Sequence, residues 1–162
     1  MKKKQEINRF LVGIFNEILK TEELFVSKTF NNLSVREIHV IEAVCNVEAA
    51  GEDNRSTSIA ERLKVTAGTL TTAVVQLERK GYLIRERDQK DKRIVHILPT
   101  SDGRQAQQYH MEFHKNMVDA AVDRLTEEET EVFVKALDSI AVFFRNSYCN
   151  EINLKNKGTM ND

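Results

Sequence analysis

The stretch TSIAERLKVTAGTLTTAVVQLERKGYLIRERDQKDKRIVHILPT, residues 57–100, decides the fold. Ser58-Ile-Ala-Glu61 has the spacing of a capping box and predicts a helix starting at Thr57 or Ser58, with Ile59, Ala60 and Leu63 facing inward. Lys64-Val65-Thr66 then turns the chain, and Thr66 suits the N-cap of a further helix running to about Lys80. Leu70, Val74 and Leu77 recur at helical spacing and define its inner face. Gly68, Thr69, Thr71, Thr72, Gln76, Arg79 and Lys80 fall on the other side. Threonines are poor helix formers. Their short hydroxyl side chains can nevertheless approach phosphates and base edges, and a helix N-terminus favours a phosphate. Gly68 keeps the first turn thin, and Gly81 ends the helix. Tyr82, Leu83 and Ile84 enter a strand whose antiparallel partner is residues 94–98, with a charged tip from Asp88 to Arg93. The stretch therefore reads as a helix-turn-helix followed by a wing.

A ribbon tip bearing exposed Lys90 and Arg93 can reach a minor groove. Asp91, two residues before Arg93, is close enough to orient its guanidinium through a bidentate pair. A merely solvated hairpin tip is the plainer alternative. Charge supports the first reading. Residues 55–93 carry ten basic and five acidic side chains, whereas residues 119–138 carry two basic and seven acidic. The net charge of -1 hides this contrast, and affinity for phosphates depends on the local patch.

Further out, residues 5 to about 28 predict a first helix with a wide apolar stripe of Ile7, Phe10, Leu11, Ile14, Phe15, Ile18, Leu19 and Phe25. Packing within one subunit and packing against a second chain are both open. Ser34-Val-Arg-Glu37 is a capping box that starts a second helix carrying Ile38, Ile41, Val44 and Cys45, with Cys45 as a small core residue. A fifth helix is expected from about Ser101 to Leu125. Thr126-Glu-Glu-Glu129 caps a sixth, rich in Phe133, Leu137, Ile140, Phe143 and Phe144. Residues 148–162 are polar and read as a disordered tail.

Apolar residues make up 41% and charged residues 30%, which suits a globular helical chain. No apolar run approaches the ~18 residues of a membrane span. The basic N-terminus lacks a continuous apolar region, so no secretory signal is expected. Cys45 and Cys149 have no metal or redox spacing and fit a reducing cytoplasm. The first 44 residues hold no cysteine, which disfavours a redox sensor. No Gly-rich phosphate loop, nucleophile elbow or isolated carboxylate pair points to an enzyme.

Leu77-Glu-Arg-Lys-Gly81-Tyr82, Asp88-x-x-Asp91-x-Arg93 and Leu98-Pro-Thr100-x-x-Gly103-Arg104 together resemble MarR-type winged-helix repressors over roughly residues 5–147. Pro99 departs from the usual pattern at a strand end. Ile14-Phe-Asn-Glu17, Val65-Thr-x-Gly-Thr-x-Thr-Thr72, Val95-His96 and Phe113-His-Lys-x-Met117 are similar to the FabT-type members, repressors of bacterial fatty-acid synthesis. The resemblance implies a mainly α fold with a small β-hairpin wing, in one MarR-like domain over residues 1–162. Residues 5–30 and 101–147 would be dimerisation helices, and residues 34–100 the winged helix-turn-helix lobe. It implies a cytoplasmic homodimer on double-stranded DNA, with two fourth helices in successive major grooves of a pseudo-palindromic operator. Thr66, Thr69, Thr71 and Thr72 would fall on the recognition surface, and Arg93 at the minor groove, held by Asp91. Gly68, Gln76 and Lys90 complete the expected contact set. FabT-type repressors bind DNA more tightly with long-chain acyl-acyl carrier protein. This implies an apolar channel in the dimer body and a basic docking face, for which Lys2, Lys3, Lys4 and Arg9 are candidates.

His110 and His114 project from one helix face, and His39 can lie beside them. With Glu22 or Glu23 they would make a tetrahedral zinc site of the kind zinc-sensing MarR-type regulators use. Structural, hydrogen-bonding histidines are the competing reading.

Overall fold

The computed structural model describes the backbone of residues 2–158 and the side chains of residues 2–146. The elements run α1 (Lys2–Thr29), α2 (Val35–Ala50), α3 (Ser56–Leu63), α4 (Ala67–Arg79), β1 (Leu83–Arg87), β2 (Val95–Pro99), α5 (Ser101–Val122) and α6 (Glu127–Gly158). The contacts gather into two units, Met1–Phe113 and His114–Asp162.

In the first unit the capping box at Ser34 forms as its spacing predicts. Ser34 Oγ accepts from the Glu37 amide, and Glu37 Oε2 accepts from the Ser34 amide at 2.9 Å. The helix it starts is buried along its length through Ile38, Ile41, Val44, Cys45 and Val47. Around it close Ile59 of α3, the row Leu70, Val74 and Leu77 of α4, Leu83 and Ile97 of the strands, and Ala106 of α5. Burial pushes the Cys45 thiol up to about 11, so it stays a neutral core side chain.

The predicted capping box at Ser58 does not form. α3 starts at Ser56, one residue before the earlier of the two expected starts, with Arg55 as its N-cap and no side-chain cap bond. The Asp53 carboxylate competes successfully. It accepts from the Arg55 amide at 3.1 Å, from the Arg55 guanidinium at 2.6–2.9 Å and from Ser58 Oγ at 2.5 Å. Charge-assisted bonds to a carboxylate are stronger than a hydroxyl cap. Thr66 does cap α4, accepting from the Thr69 amide at 3.1 Å. Gly81 sits just past its C-cap at φ 84°, in the left-handed region.

β1 and β2 pair antiparallel from Leu83↔Pro99 to Arg87↔Val95. Each strand begins one residue later than the apolar pattern suggests, and β1 takes in the charged Arg85, Glu86 and Arg87. A two-stranded ribbon exposed on one face tolerates them. Pro99 takes the last pairing position and is buried. Thr100 then caps α5, accepting from the Gly103 amide at 3.1 Å and donating to the Gly81 carbonyl at 2.7 Å. A Cβ on Gly103 would stand 2.3 Å from the Tyr82 carbonyl oxygen, so this helix start accepts only glycine.

α1 keeps Glu22 and Val26 buried, but Ile7, Phe10, Ile14, Phe15 and Leu19 are each more than half exposed. In the second unit, Thr126 and Glu129 form the expected reciprocal cap, at 2.9 and 3.2 Å. Val132, Phe133, Val134, Leu137, Phe143 and Phe144 of α6 are exposed. α6 continues as helix to Gly158 because no glycine or proline interrupts it earlier, and residues 159–162 lie outside the described residues.

Candidate nucleic-acid interface

α4 presents its threonines to solvent. Thr66 Oγ1 and Thr69 Oγ1 are 2.8 Å apart, Thr71 Oγ1 donates to the Ala67 carbonyl at 2.8 Å, and Thr72 Oγ1 donates to the Gly68 carbonyl at 3.0 Å. With those protons used internally, Thr71 and Thr72 offer outward a methyl group and an acceptor lone pair. Gly68 has nothing within 4 Å of where a Cβ would be, so the chain's own packing does not require glycine there. Gln76 is exposed one turn further on.

The wing tip is organised by two aspartates. Asp88 Oδ1 accepts from the amides of Lys90 (2.7 Å) and Asp91 (2.8 Å), and those two bonds, Asp91's first, hold the Asp88 carboxyl below its usual value. Asp91 Oδ1 accepts from the Arg93 amide at 3.0 Å. The expected bidentate pair between Asp91 and the Arg93 guanidinium is therefore not made. An aspartate two residues ahead of an amide closes a local turn at less entropic cost than it orients a long side chain. The guanidinium is left outward and exposed.

Ion pairing also divides the basic patch. Arg55 pairs with Asp53, Arg62 with Glu52, Lys80 with Glu37 and Arg85 with Glu78. Among the described residues, Lys64, Arg79, Arg87, Lys90, Lys92 and Arg93 form no ion pair. Of these, Lys64, Arg79, Arg87 and Lys92 were not singled out as contacts by the sequence reading. Their common signal is the absence of a carboxylate within reach, which depends on the tertiary arrangement.

A second polar cluster gathers around Glu22, and its His39 lines one cavity together with Thr69 of α4. Glu22 Oε1 is 3.0 Å from His39 Nε2 and 2.9 Å from His110 Nε2, and His110 Nδ1 is 3.5 Å from Glu42 Oε2. Glu22 and His110 are buried, and His39 is half exposed. Burial alone raises the Glu22 carboxyl, but hydrogen bonds from His110 and His39 outweigh it and hold the group below 4.5. Burial lowers the His110 imidazole, but its bonds to Glu42 and Glu22 carry it above 6.5. The donor atoms of Glu22, His39 and His110 all lie within 4.8 Å of one another, a set able to hold a metal ion. Glu22 rather than Glu23 is the carboxylate involved. His114 follows one turn later on α5, in the second unit. Glu42 was missed by the sequence reading and has no local signal. A cavity of about 530 Å³ borders the cluster, walled by Leu19, Val26, Leu33 and Val35, with no phenylalanine among its lining residues.

Comparison with known proteins agrees with this geometry. The MarR family model matches residues 46–95. The chain is 30% identical over 83 residues to YwhA, an uncharacterised HTH-type transcriptional regulator of Bacillus subtilis, covering 51% of this chain and 60% of that protein. It is 30% identical over 84 residues to YetL, an HTH-type transcriptional repressor of the same organism, covering 52% and 50%. The chain thus spans about half the length of the curated relatives it matches. Among solved structures, Streptococcus pneumoniae FabT in complex with DNA superposes with a TM-score of 0.77 at 37% identity, covering 88% of this chain and 98% of that one. The Staphylococcus aureus MepR–DNA complex, at 20% identity and a TM-score of 0.65, shares the fold. A chain that matches the first of these over nearly its whole length, with the same winged helix-turn-helix, belongs to the MarR family of transcriptional regulators.

Proposed function

We propose that this chain is a sequence-specific DNA-binding repressor that acts in the cytoplasm as a homodimer on a pseudo-palindromic operator. The observation that carries this is the pairing of an exposed threonine face on α4 with six basic side chains that form no ion pair among the described residues, Lys64 and Arg79 on the helix-turn-helix and Arg87, Lys90, Lys92 and Arg93 on the wing. Thr66, Gly68, Thr69, Thr71, Thr72 and Gln76 face the major groove. Methyls and acceptor lone pairs suit thymine methyls and the amino groups of adenine or cytosine. Lys90 and Arg93 meet the backbone or minor groove, with Asp91 shaping the turn that presents them. The exposed apolar stripes of α1 and α6 exceed what a lone soluble chain leaves uncovered and support a dimer.

Anisotropy titrations of a pseudo-palindromic duplex at stepped salt concentrations test this reading. Arg93→Ala is expected to weaken binding and reduce the salt slope by about one. Thr69→Ala is expected to cost only about 1 kcal/mol. Failure of the parent protein to bind any duplex at low salt overturns the reading, because the non-specific electrostatic term alone shows there.

The finer proposal is control of fatty-acid synthesis genes with acyl-acyl carrier protein as corepressor. It is supported by the resemblance to FabT-type repressors and by the cavity beside α1, whose lining mixes Leu19, Val26, Leu33 and Val35 with charged and hydroxyl side chains. A second reading, a zinc-responsive regulator, is favoured by the convergence of Glu22, His39 and His110. It predicts zinc binding at about micromolar or tighter by calorimetry, abolished in a His39→Ala, His110→Ala double variant. Equal zinc affinity in the double variant removes it.

A further inference from the structure

The wing is joined to the helix-turn-helix by more than its strands. Arg55 and His96 form an isolated antiparallel bridge, and the Ile97 amide donates to the Asn54 carbonyl at 3.0 Å. The loop before α3 therefore meets β2 at a single bridge. The half-buried side chain of His96 spans the junction. Its Nδ1 lies 2.5 Å from Asn54 Oδ1, and its Nε2 lies 3.3 Å from Asp88 Oδ2. The other oxygen of Asp88 holds the amides of Lys90 and Asp91, the Ile94 amide donates to the Asp91 carbonyl at 3.0 Å, and Asp91 holds the amide of Arg93. A continuous hydrogen-bonded relay thus leads from the loop at Asn54 through His96 to the backbone of the tip.

We propose that His96 is a positioning residue for DNA binding: it clamps Asp88 against the Asn54 loop and so sets where Lys90 and Arg93 stand relative to α4. The inference rests on the DNA-binding reading above. A two-stranded ribbon on its own is marginally ordered in water. A tip that must meet DNA while α4 is seated gains from being ordered beforehand, because ordering it on binding costs affinity. With the Asn54 amide turned so that its NH2 faces Nδ1, a neutral imidazole accepts there and donates from Nε2 to Asp88, one nitrogen to each partner. No acidic or basic group other than Asp88 is within hydrogen-bonding distance of the ring among the described residues.

Two measurements test the clamp. In the DNA-free protein, hydrogen exchange of the Lys90 and Asp91 amides is expected to speed up about tenfold in His96→Ala. His96→Gln places an amide nitrogen where Nε2 stands and should restore protection. His96→Asn reaches only toward Asn54 and should not. In anisotropy titrations His96→Ala is expected to weaken duplex binding about three- to tenfold, the effect of losing one hydrogen bond. It should also lower the salt slope by about one. In an Arg93→Ala background it should cost less than in the parent, since only Lys90 is then left to misplace. Unchanged exchange at Lys90 and Asp91 in His96→Ala overturns the clamp, whether or not the protein binds DNA. Additive losses in the double variant overturn the link to binding. If the parent binds no duplex at low salt, the DNA-binding reading falls, and the role of His96 in binding falls with it.

Discussion

Leu77→Asp is expected to abolish folding of the first unit. Leu77 is fully buried on the inner face of α4, in one cluster with Ile41, Ile59, Leu70, Val74 and Leu83. Removing a buried leucine side chain costs about 2–5 kcal/mol. Burying a carboxylate with no partner in the same place adds several kcal/mol more. A domain's whole stability is only about 5–15 kcal/mol, so the sum reaches the total. Far-UV circular dichroism during urea titration reads the outcome. Leu77→Ala should still fold, with its midpoint shifted down, while Leu77→Asp should lack a cooperative transition. A Leu77→Asp midpoint equal to that of the parent would mean that α4 does not pack as described.

Replacing Glu22 should be the next most damaging change. Its carboxylate receives both His39 and His110, and His110 is completely buried. Glu22→Ala removes the carboxylate at His110 Nε2, and breaking a buried pair from one side costs about 3–5 kcal/mol. The pH dependence identifies the cause. The Glu22 carboxyl is depressed below 4.5, so its contribution is present above that value and is lost as pH falls through the lowered one. The His110 imidazole is raised above 6.5, so its contribution is complete below 6.5 and is lost as pH rises through the raised value. Together they stabilise most between about pH 4.5 and 6.5. Glu22→Gln keeps the shape and removes the charge. Its stability deficit, measured by urea melts between about pH 4 and 8, should be largest in that window and shrink on both sides. A deficit constant across the range would show that the cluster acts by packing alone.

Much of this molecule was legible before any coordinates, and what was legible was local. The threefold and fourfold spacing of Leu70, Val74 and Leu77 set the buried face of α4. The boxes at Ser34 and Thr126 formed because their partners lie three residues away on the same chain. The same locality misled at Ser58, where a carboxylate five residues upstream proved the stronger acceptor. It misled again at Asp91, which closes a turn onto the Arg93 amide instead of gripping the guanidinium.

By itself, then, the sequence determined the order of helices and strands, the inner face of each lobe helix, and the family, because periodicity, caps and turn residues act within a few positions. Only the tertiary structure decided that Glu22 meets histidines 17 and 88 residues away. It alone showed which basic side chains are already neutralised, and that Asn54 and Asp88 flank His96 from opposite sides. Those pairings depend on how the elements come together in space, and no spacing along the chain encodes a distance of 3 Å between residues that the fold itself brings together.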